Sequence, residues 1–111
     1  MSNFNPNTNH QISLATAASY TKAFRATVPV DPQGQYLEPI ALAYGKTDML
    51  ALLNQTGCEG FRVYFGIDEN GNKQLVFTAV DINGDDMYNG ILVDEGLTCP
   101  KICGKPNPLN A

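Results

Sequence analysis

Two stretches, "FRVYFGID" (61–68) and "KQLVFTAVD" (73–81), are dense in β-branched, aromatic and other apolar residues, and they are separated by "ENGN". An Asn-Gly pair supplies the positive φ that a tight hairpin connection requires, so the pattern predicts an antiparallel β-hairpin turning at Asn70 and Gly71. In the first strand Phe61, Val63, Phe65 and Ile67 fall on one face, while Arg62 and Tyr64 fall on the other. Leu75, Phe77 and Ala79 alternate with Val76 and Val80 in the second. A further Asn-Gly in "DINGDDM" ends that strand after Asp81, and "NGILVDEG" offers a shorter strand that returns beside it.

Upstream the periodicity changes. "ISLATAASYTKAFRAT" places Leu14, Ala17, Ala18, Thr21 and Phe24 on one helical face, with Ser13 as N-cap and Ile12 positioned to staple against Ala17. The face is rich in small residues, which lets a neighbouring element approach closely. "VPVDPQGQYLEP" holds three prolines and excludes a helix, so it reads as a long connection. A second, shorter helix is expected with Thr47 as cap, Met49, Leu50, Leu52 and Leu53 buried, and Gly57 in the left-handed position at its end. Ile40 to Tyr44 fits either a strand or a helical turn. These elements predict an α+β fold: a three-stranded antiparallel sheet built on a strong hairpin, with two helices packed on one face.

At 111 residues and 43% hydrophobic content the chain supports one core, which gives a single domain over residues 12–104. Residues 1–11, rich in Asn, read as a flexible N-terminal arm, and 105–111 as a C-terminal tail. The net charge of −4, with seven Lys and Arg, provides no field for nucleic acid or for an anionic membrane. The opening "MSNFNPNTNHQ" lacks the basic and apolar regions of a signal peptide, and no run approaches the length of a membrane span. Three cysteines cannot all pair within one chain, so the expectation is a cytoplasmic protein with reduced thiols.

Candidate chemistry is sparse. Acidic residues cluster beside the Asn-Gly turns, with Asp68 and Glu69 at the first and Asp81, Asp85 and Asp86 at the second. The spacing does not match a calcium loop: "DINGDDMYNGIL" has Gly at its fourth position and Leu at its twelfth. Solubility and turn geometry account for these acids. His10, the one histidine, stands in the N-terminal arm, and no sequence feature holds it beside a cysteine. Signature loops of nucleotide-binding and hydrolytic enzymes are missing, so no enzyme and no cofactor is expected. Cys58, Cys99 and Cys103 are the candidates for a zinc site, which would need His10 or an acid as its fourth ligand. In "CPKICGKP" three readings stand: buried structural thiols, favoured here, then a Cys99–Cys103 disulfide, then a metal.

The succession "ISLATAASYTKAFR", "GCEGFRVYFGIDENGNKQLVFTAVDINGDDM" and "ILVDEGLTCPKICG" resembles a group of small bacterial proteins, chiefly of the Bacteroidota, with no assigned activity. The resemblance spans about Ile12 to Gly104, implies a one-domain bacterial protein, and transfers no site residue. The function expected is that of a non-enzymatic structural module that self-associates as a dimer or higher homo-oligomer, or binds another protein. Its interface is expected at Tyr64 on the hairpin and at Ala18 on the small-residue helix face, because two helices cannot cover both apolar faces of so small a sheet. The alternative is a metal-binding or thiol-redox protein built on Cys99 and Cys103.

Overall fold

The computed structural model describes residues 4–110. Its helices and antiparallel sheets make an α+β fold: α1 (Leu14–Arg25), β1 (Ala41–Ala43), α2 (Lys46–Leu53), β2 (Gly60–Ile67), β3 (Lys73–Val80), β4 (Leu92–Val93) and β5 (Leu97–Cys99). Where the hydrophobic pattern gives one domain, these residues pack as two compact units. The first comprises residues 4–8 with Tyr44–Gly96, the second Asn9–Ala43 with residues 97–110.

In the first unit β2, β3 and β4 form an antiparallel sheet in that order. The hairpin forms as its sequence predicts, with Ile67 opposite Lys73 and Val63 opposite Phe77. Gly71 adopts φ +82°, a conformation that costs a residue with a Cβ about 1–2 kcal/mol. The core is Leu52 from α2 against Phe77, Ala79 and Val93, with Tyr44, Met49, Cys58, Val63, Leu75 and Met87 packed around them. Leu52 is fully buried, but Leu50 and Leu53, also expected inside, are exposed, because a single helix lying on a sheet presents only one narrow stripe to it. Thr47 does not cap α2. The helix begins at Lys46, two residues before the start that a Thr47 cap implies, with Gly45 as N-cap and no side-chain cap bond.

Helix length decides what the sheet leaves bare. The eight residues of α2 rise about 12 Å, whereas the eight of β2 extend about 26 Å. Phe65 and Ile67 share a face with Val63, at the turn end of the hairpin, and they are 91% and 76% exposed.

The second unit joins α1 to a two-stranded ribbon, β1 antiparallel to β5, with Ala41 opposite Cys99. Ser13 caps α1 as expected, its hydroxyl accepting from the Thr16 N–H. Of the expected apolar face, Ala17, Ala18 and Thr21 are half-buried while Leu14 and Phe24 are exposed. The helix assigned from sequence to the three-stranded sheet thus belongs to the other unit, and α2 is the helix that packs on β3 and β4.

One local device occurs three times. In "VDPQGQ", "IDENGN" and "VDINGD" the aspartates Asp31, Asp68 and Asp81 each accept, through Oδ1, the N–H groups two and four residues ahead. The glycine three residues on donates back to the aspartate carbonyl, and the aspartate N–H donates to the carbonyl of the residue that follows the glycine. Each loop therefore closes an antiparallel pair: Val30 with Tyr36, Ile67 with Lys73, Val80 with Asp86.

Candidate functional site

The acidic turns are not ion cages. Asp68 and Asp81 spend Oδ1 on the loop backbone, and Asp68 also accepts from the Gln74 side chain through Oδ2. The bond from the Asn72 backbone, then that from Gln74, holds the Asp68 carboxyl below its ordinary range. Among the described residues no group of three or more His, Cys, Asp or Glu is placed to hold a metal ion. Cys58, half-buried, sits with its Sγ 3.1 Å from the Gly60 carbonyl oxygen. His10 is exposed ahead of α1.

The polar cluster that does form lies on the face of the sheet opposite Leu52. Asp86 takes Arg62 Nη1 on one carboxylate oxygen and the Tyr64 hydroxyl on the other, while Arg62 Nη2 donates to the Gly84 carbonyl at 3.1 Å. Register explains the meeting. Arg62 stands opposite Thr78 on one side of β3 and Asp86 opposite Val80 on its other side, so the ion pair spans the middle strand. Thr78 and Val80 are correspondingly buried. Alternation in the sequence sets Arg62 and Tyr64 on one face but does not bring Asp86 to them, because Asp86 reaches this position only through the Asp81 loop.

The Tyr64 hydroxyl bond, followed by Arg62, pulls the Asp86 carboxyl below its ordinary value of 3.8, and the same bond raises the Tyr64 hydroxyl above 10.0. A carboxylate with a depressed folded-state value contributes stability that is complete above the unfolded value and lost as pH falls through the folded one. Melting temperature should therefore hold steady from neutrality to about pH 4 and decline below it. The decline should be shallower in Asp86→Asn. An identical acid limb in that variant would show that the cluster contributes nothing there.

The second candidate is the C-terminal cysteine pair. Cys99 and Cys103 are joined in a disulfide, Cα–Cα 4.9 Å, which corrects the expectation of free thiols for these two positions and leaves Cys58 free. The bond closes a short turn in which the Ile102 N–H donates to Thr98 O at 2.9 Å. The disulfide lines an open cleft with Tyr36, Ile40, Pro100 and Pro106. Beyond it the tail is fixed to α1 by the buried Arg25, whose Nη1 donates to the Leu109 carbonyl.

Of the two interface residues expected from sequence, Tyr64 is exposed on β2 with its hydroxyl committed to Asp86, and Ala18 is half-buried on α1. The most exposed apolar side chains on β2 are instead Phe65 and Ile67. No helix among the described residues is long and apolar enough to cross a membrane. No protein family matches the chain, and neither a characterised protein nor a solved structure is similar to it.

Proposed function

We propose that the chain is a non-enzymatic module that associates with a second copy of itself through the outer edge of β2. The observation that carries this reading is Phe65, 91% exposed on an eight-residue strand that pairs, among the described residues, with β3 alone. Long apolar edge strands template further pairing, and monomeric proteins blunt them with charge, proline or bulges. Between Val63 and Ile67 β2 carries none of these.

The strand is complementary to itself. Both backbone groups of Asp68 bond across the hairpin turn, the N–H to Asn72 and the carbonyl to Gly71. Alternation then aims the backbone groups of Phe61, Val63, Phe65 and Ile67 at the free edge. An antiparallel pairing centred on Phe65 sets Phe65 beside Phe65 of the second copy and Val63 beside Ile67. On the other face it sets Arg62 across from Asp68, so no like charges are juxtaposed, while each of these side chains keeps its bonds within its own copy. A two-fold contact of this kind is the commonest route to a homodimer, and cross-strand pairs of these types each contribute about 0.2–1 kcal/mol. Tyr64 lies beside the dyad, and Ala18 lies outside this interface.

Light scattering at micromolar concentration should return twice the chain mass of 12.0 kDa. Phe65→Asp should return the single-chain mass with an unchanged circular dichroism spectrum. A wild-type particle of one chain would remove self-association and leave a different protein as the occupant of the edge. A Phe65→Asp protein that remains dimeric would move the interface elsewhere, with Tyr64→Glu and Ala18→Glu as the next variants.

A further inference from the structure

The two sulfurs of the C-terminal disulfide are unequal. Cys99 ends β5, is 6% exposed, and is held by the ribbon: its carbonyl accepts the Ile40 N–H at 2.7 Å and its Cα faces Ala41. Cys103 lies four residues later in the exposed tail. Charge is unequal as well. From Leu97 to Ala111 the side chains include two lysines, Lys101 and Lys105, and no Asp or Glu, within a chain of net charge −4. Lys101, inside the disulfide loop, has φ +132°, a sparsely populated conformation for a residue with a Cβ.

We infer that Cys99–Cys103 is a thiol–disulfide exchange site, opened by a small thiol or dithiol that attacks Cys103 Sγ. Exchange requires a thiolate to reach one sulfur of the bond and expel the other, so access selects the sulfur attacked. Cys103 is the accessible one, and the flanking lysines attract an incoming thiolate. In the first step the new bond forms between the incoming sulfur and Cys103 Sγ. The Cys99–Cys103 bond breaks with its electron pair on Cys99 Sγ, which takes up a proton. The second thiol of the dithiol then attacks its own bound sulfur and expels the Cys103 thiolate, which is protonated in turn. The dithiol leaves as a disulfide, and the protein has gained two electrons and two protons.

Opening the bond leaves the backbone around it tied. The β1–β5 pairing, the Ile102 N–H to Thr98 bond and the Arg25 to Leu109 bond are independent of the sulfurs. The exchange therefore proceeds on the folded chain, and the bond can close again on the same framework.

The test treats the full oxidised chain with dithiothreitol in buffer without denaturant, then alkylates and weighs it. Two new thiols should appear, mapped to Cys99 and Cys103, while the circular dichroism spectrum stays that of the untreated protein. Separately, Cys99→Ser and Cys103→Ser are exposed to oxidised glutathione and digested. The mixed disulfide on Cys103 of the first should form about tenfold or more faster than that on Cys99 of the second. A bond that yields to dithiothreitol only when urea is present, or equal rates at the two cysteines, would overturn the inference.

Discussion

Leu52→Ala is expected to lower the stability of the first unit by about 2–5 kcal/mol. Leu52 has no solvent exposure and is the one buried side chain that α2 contributes to the cluster of Phe77, Ala79 and Val93. Cutting its isobutyl group back to a methyl withdraws apolar surface from that cluster and leaves a cavity which the sheet, held by its own ladder, closes only in part. Urea titration reads the effect as a fall in midpoint with an unchanged slope. Leu50→Ala on the same helix is the control. At 44% exposure it removes the same atoms from a half-wet position and should cost within about 1 kcal/mol. Equal losses from the two variants would mean that α2 meets the sheet through a different face.

Gly96→Ala should destabilise nearly as much, through crowding. A Cβ at residue 96 would stand 2.6 Å from Tyr44 Cζ and 2.7 Å from its hydroxyl oxygen. The tyrosine cannot simply swing away. Its hydroxyl donates to the Leu75 carbonyl at 2.9 Å, and its ring meets Phe77 edge-on with centroids 4.7 Å apart. Burial, its largest influence, already raises the Tyr44 hydroxyl above the ordinary tyrosine range. Overpacking of this sort costs about 1–3 kcal/mol, and losing the hydroxyl bond adds about 1 kcal/mol. The mechanism makes a second demand: once Tyr44→Leu has removed the ring tip, Gly96→Ala should cost little more. A double-mutant cycle measures that coupling, and simple additivity of the two changes would remove Tyr44 as the cause.

The elements read most directly from the sequence are those whose signals are local. Ser13 caps α1 because its hydroxyl needs only the N–H three residues ahead, and the Asn70-Gly71 hairpin needs only a turn between two strands. Where pairing partners are far apart, pattern says less. The ribbon of Ala41–Ala43 with Leu97–Cys99 uses three-residue strands more than fifty positions apart, too short to show alternation. The proline-rich stretch from Val28 to Pro39 reads as an open connection, yet it holds the same turn as the hairpin, with Pro32 in the first loop position where its fixed φ is suitable. The Arg62, Asp86 and Tyr64 cluster was hidden for a related reason. Its geometry depends on the residue count of two successive loops, whereas the strand pattern specifies the register of the first hairpin alone. The disulfide was visible as a possibility from spacing, but whether two thiols bond depends on Cα separation and direction, which spacing leaves open.

The Asn-Gly turns also bear on how the protein ages. Asparagine followed by glycine is the dipeptide most prone to spontaneous deamidation, in which the glycine nitrogen attacks the asparagine side chain and closes a succinimide ring. The chain contains three such pairs, Asn70-Gly71, Asn83-Gly84 and Asn89-Gly90. In each, the glycine N–H donates to the backbone carbonyl three residues earlier, of Asp68, Asp81 and Met87 respectively. That bond keeps the proton on the nitrogen and holds it turned toward the carbonyl, away from the side chain it would attack. The bonds that close the turns thus also guard the covalent chain, and each excursion to the unfolded state exposes all three sites to a change that refolding cannot reverse.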